Sequence, residues 1–229
     1  MALLDASAQK QLRDVFTALP RPVTLLVFTA SKERGGRCDA CEDTQALVEE
    51  LAAIADGKIR VEVHSLATDR DAADRYGVDK VPAVVLLGGP SGRSDVGVRF
   101  FGAPAGYEFV TLIEDIKMAS TGSTGLAERT VEVLSHLTSP LHIQVFVTPT
   151  CPYCPRAVLL AHRMAMASEW VTSDAVDAAE FPELARRYQV YGVPRTVINE
   201  TVHVEGAVPE RMFMAQLVSL LDGNASPAA

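Results

Sequence analysis

This chain of 229 residues has no spare cysteine: there are four, Cys38, Cys41, Cys151 and Cys154, and all of them fall in C-x-x-C pairs. A secreted disulfide scaffold spreads its cysteines to close long loops, whereas two-residue spacing closes a small ring and constrains little of the chain. Local spacing of this kind points to redox chemistry or metal binding. A basic excess is also missing. Twenty-one Lys and Arg face 29 Asp and Glu, a formal charge of -8, which argues against a nucleic-acid binder. No apolar run approaches the ~18 residues that a membrane span requires. The opening MALLDASAQK lacks a basic segment followed by an apolar one, so the expectation is a cytoplasmic protein with no membrane partner. The five histidines, His64, His136, His142, His162 and His203, show no ligand spacing and read as surface or strand residues.

What is present is a repeat. Leu12, Val15, Phe16 and Leu19 make a helical stripe, RPVTLLVFTA reads as a buried strand, and the charged loop SKERGGR leads to CDAC. A helix through Leu47, Val48, Leu51 and Ile54 follows, then the strand KIRVEVHSL, the short helix TDRDAADRYGV, the strand VPAVVLL, the strand DVGVRFFG and a helix through Phe109, Leu112, Ile113 and Ile116. ASTGSTG, residues 119–125, reads as a linker. The order then recurs: LAERTVEVLSHL, LHIQVFV, CPYC opening a helix, EWVTSDAVDA, FPELARRYQV, VPRTVINE, TVHVEG and a helix with Phe213, Leu217, Leu220 and Leu221. Cys38 and Pro82 are 44 positions apart, Cys151 and Pro194 are 43 apart, and each proline follows a valine. The chain therefore reads as two copies of one α/β unit, residues 1–119 and 120–229, with a mixed sheet in each. The final hairpin is shorter in the second copy, with 12 positions from Pro194 to Gly206 against 20 from Pro82 to Gly102. Trp170, Met164, Met166, Met212 and Met214 lie in apolar patterns that suggest core packing.

A strand, a C-x-x-C at a helix start and a Val-Pro some forty residues later resemble the thioredoxin and glutaredoxin superfamily. CPYC is similar to the glutaredoxin motif. The tandem arrangement, with GVRFFGAPAGYEF between the pairs and VFVTPTCPYCP at the second, resembles the glutaredoxin-like protein disulfide oxidoreductases of thermophiles. That resemblance implies two tandem thioredoxin-like domains, each a central mixed sheet flanked by helices. It implies cis bonds at Val81-Pro82 and Val193-Pro194, each facing a cysteine pair. It also implies protein disulfides as substrates and a thioredoxin-reductase-type flavoprotein as electron donor; a homodimer is left open. No bound cofactor is expected, because electrons travel through the cysteines. Two departures stand out. The first pair is CDAC, with 10 positions from Phe28 to Cys38 against 5 from Phe146 to Cys151. The place of the buried thioredoxin aspartate, six before the first cysteine, holds Val145, so the proton acceptor is unidentified.

Thiol-disulfide exchange needs a thiolate and a second thiol close enough to displace the mixed disulfide. At a helix start, free N–H groups and the helix dipole favour the anion, which makes Cys151 the nucleophile and Cys154 the resolving thiol about one turn in. Pro152 is compatible with the first helical turn. Asp39 lies between Cys38 and Cys41, while Pro152 and Tyr153 are uncharged. A carboxylate disfavours thiolate, so the first pair is expected to be the more reducing and the second the more reactive, with Arg37 able to offset Asp39. Arg195, next to Pro194, stands either near Cys151, steering acidic substrates, or on a solvent-facing strand position. The rivals are a zinc site of four thiolates, which would require separate domains to meet at the metal; a chaperone-like module with incidental cysteines; and an electron relay to a peroxidase. The last is the role of the tandem segment in alkyl hydroperoxide reductase flavoproteins, which keeps only its second C-x-x-C.

Overall fold

The computed structural model describes residues 3–30, 38–221 and 223. The SKERGGR loop, including Arg37, lies outside them. The first half runs α1 (Ala6–Thr17), β1 (Val23–Thr29), α2 (Cys41–Ile54), β2 (Ile59–Ser65), α3 (Arg70–Tyr76), β3 (Ala83–Gly88), β4 (Ser94–Phe101) and α4 (Tyr107–Thr121). The second runs α5 (Glu128–Ser135), β5 (Leu141–Val147), α6 (Cys154–Ala167), β6 (Val171–Asp177), α7 (Pro182–Arg187), β7 (Arg195–Ile198), β8 (Val202–Glu205) and α8 (Glu210–Leu221). The elements stand where the hydrophobic periods put them. The start of α1 is fixed by Asp5, whose carboxylate accepts the Ala8 N–H at 2.8 Å, one of the donors a helix start leaves unpaired.

The two sheets are fused. The strands form one eight-stranded sheet in the order β2-β1-β3-β4-β6-β5-β7-β8. β4 of the first half pairs in parallel with β6 of the second from Val98↔Ser173 to Phe101↔Val176. Since β1 is antiparallel to β3, β3 antiparallel to β4, and β6 parallel to β5, strands β1 and β5 point the same way.

One face of the sheet carries a single apolar core through both halves, including Phe16, Leu51, Phe100, Ile116, Val158 and Leu217. The opposite face is covered only at its flanks, where α3 and α7 bury Phe28, Val85, Phe146 and Val197 with Ala73 and Tyr188. Across the middle, one row of paired residues reads Val85, Arg99, Asp174, Gln144, Val197. The row turns polar where no helix covers it. Arg99 is held by both oxygens of Asp95 at 2.9 and 2.7 Å and by the Tyr76 carbonyl, and Asp174 by His142.

Several expectations are corrected. The linker begins later than residue 119, because α4 continues through Thr121. Ala119 and Ser120 are buried, and Ser120 exchanges hydrogen bonds with Arg21. The connection is 122–127. Small polar residues read as a linker there because their smallness serves close packing: a Cβ on Gly88 would lie 2.9 Å from the Ala119 carbonyl. Trp170 and Met212 are exposed, at 40% and 53%, while Met164 and Met214 are core. His162 is no surface residue: on α6 it is fully buried, its Nδ1 2.6 Å from Asp115 on α4 and its ring edge-on to Phe100. Among the described residues no helix is long and apolar enough to cross a membrane.

Because one sheet and one core serve both halves, urea should unfold the chain in a single transition. Fluorescence of the sole tryptophan, Trp170, reports the second half, and far-UV circular dichroism reports both. The two curves are expected to coincide, and separate midpoints would show that the halves unfold independently. His162→Ala, which strips Asp115 of its buried partner, is expected to cost roughly 3 kcal/mol in the same measurement.

Candidate functional site

Both cysteine pairs leave the same end of the sheet on the same face, after the C-terminal ends of β1 and β5. Each is closed as a disulfide with Cα atoms 5.5 Å apart. Strands β1 and β5 are four steps apart in the sheet order, which at about 4.8 Å per step separates the pairs by roughly 19 Å. That distance excludes one zinc shared by all four sulfurs.

At the second pair the helix begins at Cys154, with Tyr153 as its N-cap. Cys154 is therefore the first helical residue rather than a turn into the helix. Pro152 stands in the preceding turn, and the proline of the first helical turn is Pro155. A first-turn proline fits equally well at either place, and spacing alone did not distinguish them. The geometry around sulfur is direct: Cys154 N–H points at Cys151 Sγ at 3.1 Å, an amide at the positive end of a 14-residue helix. Cys151 is 7% exposed and Cys154 is fully buried. On the other side of the sulfur, the Val193 carbonyl lies 3.8 Å away, directly before the cis Val193-Pro194 bond.

The first pair repeats the frame. Cys41 opens α2 behind Ala40, the Ala30 N–H lies 3.4 Å from Cys41 Sγ, and Val81-Pro82 is cis. Its surroundings differ. Asp39 is exposed and Cys38 half-buried, and Asp79 and Lys80 stand where the second half has exposed Tyr191 and Gly192. Arg195 is engaged on its own hairpin, paired with Glu205 and with His203 Nδ1.

Sequence reasoning missed the acidic side chains packed against the loop that leads into the second pair. Glu108, at the start of α4, is 3% exposed. It lines a small cavity with Val147, Pro149 and Asp177. One carboxyl oxygen accepts from Thr111 at 2.7 Å, and the other has no partner among the described residues. Burial pushes its pKa up to about 7 against the pull of Thr111 and His162, and Asp115 and Asp177 add to the rise. Burial also raises Asp177 and Glu180. The clue available in the sequence was a glutamate at helical spacing from Leu112, in the buried stripe of the helix following GAPAG. A second, wider groove of about 840 Å³ lies over the polar row on the other face, between α3 and α7, and none of the four cysteines lines it.

Glu108 sets a pH dependence whose direction follows from its shift. With the folded pKa raised from 4.5 to about 7, its stabilising contribution is complete below pH 4.5 and is lost as the pH rises through about 7. Glu108→Gln is expected to flatten the decline of unfolding free energy across that window. Urea titrations at successive pH values measure it, and a slope identical to the wild type would exclude Glu108 as its source.

Comparison with known proteins bears on this arrangement. Residues 141–219 match the thioredoxin domain family. The chain is 25% identical over 224 residues to the alkyl hydroperoxide reductase component AhpF of Xanthomonas campestris pv. phaseoli, covering 98% of this chain but 38% of that protein. It thus spans well under half the length of such curated relatives. The AhpF structure from Enterococcus faecalis superposes with a TM-score of 0.82 at 27% identity, over 93% of this chain and 98% of that one. A protein disulfide oxidoreductase from Aeropyrum pernix K1 superposes with a TM-score of 0.86 at 32% identity, over 98% of this chain and 97% of that one. With two C-x-x-C pairs on two fused thioredoxin-like halves, the chain belongs to the tandem thioredoxin-fold protein disulfide oxidoreductase family.

Proposed function

We propose that the protein transfers electrons between its own dithiols and the disulfides of other proteins, with Cys151 as nucleophile and Cys154 as resolving thiol. The observation that carries this reading is the helix-start amide of Cys154 aimed at Cys151 Sγ, which favours thiolate there. In the reducing direction the Cys151 thiolate attacks one sulfur of a client disulfide. The S–S bond breaks, the client's other sulfur leaves as thiolate and takes up a proton, and a mixed disulfide remains. Cys154 then gives up its proton and attacks Cys151 Sγ, which closes the internal disulfide and releases the second client thiolate. Two electrons pass to the client, and an external dithiol donor restores the pair. Glu108, with a pKa near neutrality and an unpartnered oxygen beside the active-site loop, is the group assigned to take the proton of Cys154.

The separation of roughly 19 Å between the pairs supports two centres that act on external partners rather than on each other. Cys38/Cys41, with Asp39 between the two cysteines in sequence, is assigned the more reducing couple. The expected donor is a thioredoxin-reductase-type flavoprotein. A second reading is favoured by the likeness to AhpF over nearly the whole chain: the same chemistry used as a relay, with a peroxide-reducing protein as acceptor.

Insulin reduction driven by dithiothreitol tests the assignment. In a chain that already carries Cys38→Ser, Cys151→Ser is expected to abolish turnover above the uncatalysed rate, and Glu108→Gln to slow it by about 100-fold. Cys38→Ser should leave the second centre working. Full activity in the protein carrying both Cys38→Ser and Cys151→Ser would sink the reading. The direction of flow follows from the reduction potential of each pair, measured in a variant keeping only that pair; a more oxidising Cys38/Cys41 would reverse the assigned order.

A further inference from the structure

The segment GAPAGYE, residues 102–108, belongs to the first half by sequence, yet its contacts point into the second. The Ala103 N–H donates to Glu180 at 2.8 Å. A Cβ on Gly102 would fall 2.6 Å from Asp177 Cβ. The Tyr107 N–H donates to the Pro149 carbonyl at 3.0 Å, and Glu108 closes the cavity against Val147 and Pro149.

We infer that this segment is the positioning element of the Cys151 loop, so that the second redox centre is built from both halves of the chain, with Gly106 as the residue on which the fit depends. Gly106 has φ +59 and ψ -126, a conformation that side chains disfavour. A Cβ there would lie 2.9 Å from the Pro149 carbonyl carbon and closer still to its oxygen. The two backbones therefore meet with no room for a methyl group, and the Pro149 carbonyl is held by the Tyr107 N–H of the same segment. Pro149 stands two residues before Cys151, whose own N–H returns to the Thr148 carbonyl at 3.1 Å. The loop from Thr148 to Cys151 is thus one tight turn with its outer carbonyl fastened to the first half. Displacing that carbonyl shifts Cys151 Sγ relative to the Cys154 amide 3.1 Å away, the contact that favours thiolate. The inference rests on Cys151 being the attacking thiol. It gives the first half a task at the second centre that is separate from the chemistry of Cys38 and Cys41.

Site-resolved alkylation of the reduced full-length chain tests it. After reduction with a phosphine, iodoacetamide is added at a series of pH values and the modification of Cys151 and Cys38 is followed by mass spectrometry. Gly106→Ala is expected to raise the pH midpoint of Cys151 alkylation and to slow it roughly tenfold at neutral pH, while Cys38 keeps its wild-type profile. Gly125→Ala is the control for backbone conformation alone, since Gly125 has φ +66 with nothing within 4 Å of an added Cβ; it should change neither cysteine. A wild-type Cys151 profile in Gly106→Ala, or equal changes at Cys151 and Cys38, would overturn the inference. If Gly106→Ala does not fold, Glu180→Ala, which removes the acceptor of the Ala103 N–H, is expected to slow Cys151 alone by roughly threefold, and no change would be equally fatal. Alkylation reads the thiol directly, so absent insulin turnover counts against the proposed function only, whereas an unaltered profile counts against the positioning role only.

Discussion

The parallel pairing of β4 with β6 is the constraint on which the rest of the molecule depends. Four residue pairs, Val98↔Ser173 through Phe101↔Val176, turn two half-sheets into one and fix the direction and the face of everything attached. Because the pairing is parallel, both C-x-x-C turns emerge from the same end of the sheet. Because the register keeps the pleat in phase across the seam, α4 and α6 share one buried side. An antiparallel seam would have sent the two centres to opposite ends. The seam also decides where the polar residues go: the face left uncovered between α3 and α7 carries Arg99, Asp174 and Gln144, each partnered, where a helix-covered strand would place aliphatics.

Within that frame the two copies keep the backbone and diverge at the surface. Gly77 and Gln189 hold matching left-handed positions at φ 65 and φ 53, and each precedes a loop that ends in a cis Val-Pro. The residues carried on the loops differ in kind. Asp39 lies inside the first C-x-x-C and Asp79 and Lys80 precede its cis Val-Pro, while Pro152 and Tyr153 lie inside the second and Tyr191 precedes its own, with the two tyrosines 64% and 92% exposed. Backbone geometry is what disulfide exchange itself requires, so it is kept.

What could be read in the sequence was whatever a local period or spacing encodes. The hydrophobic alternation placed β1, β5 and the rest, the two-residue cysteine spacing marked the centres, and the recurrence of Val-Pro revealed the duplication. Contacts between residues distant in sequence left no such trace. The fusion of the half-sheets joins residues some 75 positions apart, as in Val98↔Ser173, and nothing in DVGVRFFG marks it as a seam strand. His162 looked like a surface residue because its partner, Asp115, lies 47 positions upstream on another helix. Trp170 and Met212 were misplaced because apolar character alone does not separate a core position from an exposed one. The linker was read too early because small residues serve loops and close helix packing alike.

The position of the acidic groups follows from the same seam. Val145 occupies the strand position of the thioredoxin aspartate and is fully buried in the common core, where a carboxyl would have to displace apolar contacts from both halves. The seam offers another route: Glu108 arrives from the first half, beside Pro149 rather than beneath the cysteines. Two demands then oppose each other. Burial raises Glu108, Asp115, Asp177 and Glu180, so the packing of the halves favours low pH, whereas thiol-disulfide exchange requires a thiolate and favours high pH. A carboxyl whose pKa is pushed up to about 7 lies between these limits, so at neutral pH no full charge is permanently buried there. The fused sheet therefore supplies more than a scaffold, because it brings an acid of near-neutral pKa to a centre whose own half provides none at the usual position.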